Sequence, residues 1–242
     1  MQSKEYKLMY QLEDEHWWFT AKRLFITTYL NFLPKKRKLK ILDVGCGTGR
    51  NLELLKKFGL ASGIDSSALA VKFCQKRGLK NVKQNSAEKL PFAVDSFDLI
   101  TLFDVLYHKN ITSDLEVLKE INRIVKPKGY ILITDCAHQF LYGPHDMAMH
   151  ARQRYSKKEL EKKVTQAGFK INQSSYIYFS TFLIFLTNRL IHKYLIKELT
   201  SDVKTVPLFI NKLLINLFKI ESSLLNYINL PIGSSIIILA QK

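Results

Sequence analysis

The feature that most constrains this chain is the stretch Ile41-Leu42-Asp43-Val44-Gly45-Cys46-Gly47-Thr48-Gly49, followed at about twenty residues by Gly63-Ile64-Asp65. Leu39 to Val44 reads as a short buried strand that runs into a glycine-rich turn and then a helix from about Arg50 to Phe58. Glycines after a strand let the backbone approach a ligand with no Cβ in the way. A carboxylate ending the next strand can accept both hydroxyls of a ribose. The spacing Gly45, Gly47, Gly49 is one residue tighter than the dinucleotide fingerprint, which disfavours a pyrophosphate ligand.

The rest of the first two-thirds alternates strand and helix. Ser62 to Ile64, Val82 to Gln84, Phe97 to Phe103 and Tyr130 to Asp135 read as strands. Ser66 to Arg77 and Ser113 to Val125 read as helices, the latter ended by Lys126-Pro127-Lys128-Gly129. Such alternation predicts a mostly parallel sheet with helices on both faces. Residues 1 to 33 carry aromatic and apolar residues at helical intervals and read as an N-terminal helical cap. Tyr155 to Ala167 reads as a helix capped by Ser156 and ended by Gly168, Phe169 to Tyr178 as a strand, and Ser235 to Ala240 as a closing strand. Residues 179 to 230 predict two or three helices richer in Leu, Ile and Phe than one amphipathic stripe requires. They pack on themselves, pack on a partner, or wall an apolar pocket. One domain is expected, divided as a cap (1–34), a core (35–178) and a helical elaboration with the closing strand (179–242).

Composition narrows the function classes. An apolar share of 47% excludes a disordered chain. Lys and Arg total 37 against 21 acidic residues, a net charge of +16 that favours phosphates, anionic membranes or acidic substrates. The cations are scattered (Lys35 to Lys38, Lys72 to Lys80, Lys157 to Lys163, Lys193 to Lys219), not gathered into the footprint of a nucleic-acid binder. Three cysteines, Cys46, Cys74 and Cys136, are too widely spaced for a disulfide framework or zinc knuckle, so a cytoplasmic setting is expected. The longest apolar run, Tyr176 to Leu186, has about half the ~20 residues of a membrane-spanning helix.

The segment Asp43-Val44-Gly45-Cys46-Gly47-Thr48-Gly49 resembles motif I of the class I S-adenosylmethionine-dependent methyltransferases, and Leu90-Pro91-Phe92 with Asp95-Ser96-Phe97-Asp98-Leu99-Ile100 resembles the stretch entering their fourth strand. The resemblance implies a Rossmann-like α/β fold with a seven-stranded sheet and S-adenosyl-L-methionine as cofactor. It places Gly45, Gly47 and Gly49 along the methionine and ribose, Asp43 beneath the methionine amino group, and Asp65 on the ribose. Cys46, Ser66, Ala87, Phe103 and Asp104 are implied as further cofactor contacts, and Ser86 or Asn85 stands where the family commonly has an aspartate at the adenine. The usual Pro-Gly-Gly turn is Pro127-Lys128-Gly129 here, and Lys128 costs little there if its φ is negative. Glu13 to Phe19 with Arg23, Asp104 to His108, and His145, Asp146, His150, Arg154 and Tyr155 look like a bacterial subgroup that commonly carries Glu at the position of Tyr107.

A methyltransferase of this kind aligns nucleophile and methyl for an in-line displacement in a dry site. Where a proton must leave the acceptor, His108, Tyr107 and His145 are the candidate catalytic residues. His108 ranks first because it follows the fourth strand's carboxyl end, although a role packing the helix start fits it as well. His16 also titrates in the useful range. His145, Asp146 and His150 have no spacing that fixes a tetrahedral metal site. Trp17, Trp18, Arg23 and Tyr155 are expected against the substrate, since adjacent tryptophans cannot both face inward on one helix. The acceptor is expected to be a small, partly apolar molecule methylated on O or N. The alternatives are a lipid-linked substrate reached by peripheral membrane contact, RNA or protein, and a binding protein that uses residues 179 to 230 as a homodimer interface.

Overall fold

The aromatic N-terminal segment folds as two helices, Ser3–Leu12 (α1) and Trp17–Leu30 (α2), not as one. The break falls at His16, whose backbone is extended (φ −64°, ψ 135°) and whose ring accepts from the Trp18 amide at 3.3 Å, capping α2. The chain continues as Leu39–Val44 (β1), Arg50–Leu55 (α3), Gly59–Asp65 (β2), Ala68–Lys76 (α4), Val82–Gln84 (β3), Phe97–Phe103 (β4), Asp114–Ile124 (α5) and Val125–Cys136 (β5). A short 3-10 turn then leads to Pro144–Ala148 (α6), Lys157–Gln166 (α7), Lys170–Ile177 (β6), Phe182–Leu195 (α8), Leu208–Leu224 (α9) and Ser235–Gln241 (β7). This computed structural model describes residues 3–34, 38–195 and 205–242, so Lys35-Lys36-Arg37 of the first basic run and 196–204 within the apolar third lie outside the described residues.

The strands form one seven-stranded sheet in the order β3-β2-β1-β4-β5-β7-β6. β1 through β5 pair in parallel, and β7 enters antiparallel between β5 and β6. Successive residues of β1 point to opposite faces. Leu42 and Val44 pack with Val117, Leu118 and Ile121 of α5 and Leu160 and Val164 of α7, while Ile41 packs with Leu52 of α3, Cys74 of α4, Phe25 of α2 and Phe218 of α9. Both faces are covered, which is why the parallel strands read as nearly unbroken apolar runs. Serines open the crossover helices as their positions predict: Ser67, Ser113 and Ser156 each accept from an amide three residues on.

Lys128 departs from expectation. Its φ is +63°, in the left-handed region. The pairing of β4 with β5 slips register between Phe97 and Leu99, and the extra residues of β5 are taken up in this turn. The C-terminus holds it there: the Lys128 amide donates to the Lys242 carbonyl at 3.2 Å, and the Gln241 side chain donates to the Lys128 carbonyl at 3.1 Å. The strand order reverses between β1 and β4, so the crevice at their carboxyl ends is where open α/β sheets take ligands. No helix among the described residues is long and apolar enough to cross a membrane.

Candidate active site

The turn after β1 rises into that crevice. Gly45 has φ +74°, and a Cβ there would meet Val105 Cγ2 at 2.5 Å, so only glycine fits. Gly47 has φ +54° and opens toward the N-terminal cap, with Met9 Cε of α1 3.2 Å from where a Cβ would be. The turn is stitched to the end of β2: the Gly45 and Cys46 amides both donate to the Ile64 carbonyl, at 2.8 and 2.9 Å.

Asp65 ends β2 and is fixed by two amides, with Oδ2 accepting from Gly47 and Oδ1 from Ser67, each at 2.9 Å. Burial pushes its carboxyl above the usual range, and the two amides oppose that shift. Each oxygen keeps acceptor capacity for a ribose hydroxyl. Asp43 lies beneath the turn, outside the cavity wall and fully buried. Its Oδ1 accepts from the Thr101 hydroxyl at 2.7 Å, while Oδ2 has no hydrogen-bond partner. Burial raises its carboxyl to about 7. An orphaned buried carboxylate oxygen under a glycine cradle fits a cationic group held above it.

The cap is latched onto this turn. The Thr48 hydroxyl donates to Glu13, the Arg77 guanidinium donates to the same Glu13 oxygen at 2.8 Å, and Arg77 Nε donates to the Thr48 carbonyl at 3.0 Å. Arg23 of α2 completes the corner by donating to the Glu13 carbonyl at 2.6 Å. Across the crevice, at the end of β4, Asp104 (φ +59°) accepts from Lys22 of α2, whose ammonium also lies 4.2 Å from the centre of the Trp18 ring.

One cavity of about 850 Å³ joins these parts. The glycine turn, Asp65, Ser66, Asn85, Ser86, Ala87, Phe103 and Asp104 line it together with Trp17, Trp18, Arg23, Tyr107, His108 and His145. Both tryptophans stand in the wall: Trp17 stacks on Phe218 of α9 and Trp18 on Tyr178, with ring centroids 5.6 and 6.0 Å apart. Ile184 and Phe185 of α8 and Ile210 and Leu214 of α9 close the apolar end. α8 and α9 thus wall the cavity, and α9 also packs on α2 of the cap.

Besides Asp43, two expected contacts lie outside the cavity. Tyr155 is fully buried in the core against α5 and α7 and does not reach the cavity, because its amide and carbonyl are paired with Cys136 and His138 beside the sheet. Gly49 lies behind the turn, where a Cβ would meet Leu79 and Cys74. Asp146 and Arg154 form a buried ion pair at 2.8 Å, with Asp146 also accepting from the Gly143 amide, so this carboxylate orders the loop. Burial and the neighbouring His150 lower His108 to about 4, so its imidazole is neutral near pH 7. The buried Tyr107 phenol is held well above its usual range and stays protonated. Sequence reasoning gave Lys22, Glu13 and Arg77 no role. A lysine in the middle of the apolar helix Trp17–Leu30 was the available signal for the first; the other two meet only in the fold.

Residues 42–133 match the family model described as a methyltransferase domain. The chain is similar to an uncharacterized methyltransferase, YcgJ, of Bacillus subtilis, 29% identical over 153 residues that make up 57% of each chain. It is also similar to a demethylmenaquinone methyltransferase of Bacillus velezensis, 33% identical over 124 residues covering 47% of this chain and 52% of that one. The aligned parts span between 36% and 57% of the length of the curated relatives first matched. In fold it matches the crystal structure of an S-adenosylmethionine-dependent methyltransferase from Mesorhizobium loti with a TM-score of 0.60 at 13% identity, over 89% of this chain and 96% of that one. Residues 42–133 are thus similar to a methyltransferase domain, and the fold is one found in S-adenosylmethionine-dependent methyltransferases.

Proposed function

We propose that the chain transfers the methyl group of S-adenosylmethionine to an oxygen or nitrogen of a small, partly apolar acceptor. The observation that carries this reading is a single cavity whose one end is the glycine turn with Asp65 and whose other end is aromatic and aliphatic. In this reading Asp65 holds the ribose, the buried charge of Asp43 favours the methionine ammonium, and Ser86 or Asn85 meets the adenine. The bound cofactor supplies an electrophilic methyl on a sulfonium, and the protein's part is alignment and exclusion of water. Trp17, Trp18 and the walls from α8 and α9 provide the dry surface, and an aromatic face attracts a sulfonium as it does other cations. His108, neutral at pH 7, orients an acceptor hydroxyl or amine by accepting its hydrogen, and Tyr107 serves as a donor, not a base.

Calorimetric titration with S-adenosylmethionine and S-adenosylhomocysteine, with NAD as control, tests the cofactor half. The expected result is binding of the first two and none of NAD. Asp65→Ala is expected to weaken binding by about 1–3 kcal/mol through loss of charge-assisted hydrogen bonds. A folded wild-type protein that ignores both sulfur nucleosides overturns the reading. Screening apolar phenols, amines and lipid-linked acceptors with methyl-labelled cofactor tests the other half.

A further inference from the structure

Helix α9 is apolar on two separate sides. One side carries Phe218, Leu225 and the buried Glu221 and Ser222 and packs on α2. The other presents Phe209, Leu213, Leu217, Ile220 and Leu224, a stripe at three- and four-residue intervals whose members are all exposed, Phe209 by 78%. A stripe this long on a monomer's surface marks an interaction face.

Charge decides what that face takes. Lys212 and Lys219, seven residues apart and both exposed, flank the stripe on one side. The one carboxylate of α9, Glu221, is turned inward and accepts from the Phe179 and Ser180 amides at 2.9 and 2.8 Å, and α8 contains no acidic residue. Just beyond the helix, Tyr227 and Ile228 are exposed as well. Pairing this face with a second copy would bring together lysines of two chains that each carry +16, so self-association is opposed where an anionic surface is favoured. The stripe is also continuous with the cavity: Ile210 of α9 and Ile184 of α8 are exposed and line its mouth.

We propose that the outer face of α9 docks on an anionic membrane surface, its apolar stripe entering the lipid interface and Lys212 and Lys219 meeting headgroup charge, which sets the cavity mouth against the bilayer. Docking stands on the surface alone, whereas the class of molecule admitted there, a membrane-resident acceptor, rests on the methyl-transfer reading above.

Flotation of the full chain with vesicles tests this. Vesicles of phosphatidylglycerol and phosphatidylcholine in equal parts should carry the protein and pure phosphatidylcholine vesicles should carry far less, with the difference shrinking at high salt. Leu213→Gln with Leu217→Gln, and separately Lys212→Glu with Lys219→Glu, should each lower the bound fraction about tenfold or more. These side chains are exposed and outside the cavity, so cofactor titration and thermal unfolding should match wild type. Wild-type protein that binds the cofactor but floats with neither vesicle overturns docking and leaves the methyl-transfer reading intact. Vesicle binding without cofactor binding does the reverse. A dimer in light scattering that the leucine substitutions dissolve, with no flotation, assigns the face to self-association and also overturns docking.

Discussion

The Thr48 hydroxyl, in the glycine turn, donates to the carboxylate of Glu13, in the connection between α1 and α2. Through this contact the N-terminal cap and the cofactor end of the sheet hold a common position. Glu13→Ala would leave Arg77, whose side chain is 9% exposed, with Asp14 at 3.1 Å and Glu53 at 3.8 Å as acidic partners. A loss of about 1–3 kcal/mol in unfolding free energy is expected, with weaker cofactor binding in the same variant. Denaturant unfolding and titration read the two effects. A Glu13→Ala protein with unaltered cofactor affinity would separate the cap from the site.

On the proposed function, Asp43 should make cofactor affinity depend on pH. Its folded value, about 7, lies above that of an unfolded carboxylate, so ionising it costs stability. That cost is fully present above about pH 7 and disappears as pH falls toward about 4, so this group's contribution to the stability of the ligand-free protein rises as pH falls from about 7 to about 4. A cation above the turn favours the ionised form, so affinity for S-adenosylmethionine should fall below about pH 7, by up to about tenfold per pH unit. Asp43→Asn should bind more weakly at neutral pH and with a flat profile. Titrations across this range settle it, and a steep profile retained in the variant would assign the dependence to another group.

Lys22 and Asp104 form a pair whose side chains are 7% and 17% exposed. Removing one partner strands a charge beside the cavity, so Lys22→Met should cost about 3 kcal/mol. Asp104→Asn in the same chain should recover about 1 kcal/mol or more of that loss, which a double-mutant cycle in denaturant measures. Strict additivity of the two changes would mean that the pair contributes nothing as a pair.

Lys128 occupies the left-handed region that glycine adopts freely. Lys128→Gly relieves about 1–2 kcal/mol of backbone strain but gives back part of it as extra freedom in the unfolded chain. A net gain of up to about 1 kcal/mol is expected from thermal unfolding. A loss would show that the lysine side chain, not the backbone, secures the junction of β5 with the C-terminus.

The strands, their mostly parallel arrangement and the glycine turn were legible in the sequence because each is encoded locally: buried runs of Ile, Leu and Val, serines at helix starts, and glycines where φ must be positive. The pairing partners were not. Lys22 and Asp104 are 82 positions apart, and Glu13 and Thr48 are 35 apart, with no periodicity linking either pair. Tyr155 was misplaced for a related reason: the preceding residue, Arg154, lines the cavity, but the Tyr155 side chain is buried in the core. The apolar excess of residues 179 to 230 was plain in composition, yet only packing distinguishes Phe218, sealed against Trp17, from Phe209, open to solvent.

The cavity is roofed by different helices at its two ends, with Met9 of α1 over Gly47 and with Ile184 and Ile210 of α8 and α9 at the apolar mouth. The two ends of the chamber are therefore walled by parts of the chain far apart in sequence. On the methyl-transfer reading, an acceptor entering past Ile184 and Ile210 would leave the contact of Glu13 with Thr48 in place, whereas a nucleoside seated on the glycine turn lies beneath α1, on the cap side of that contact.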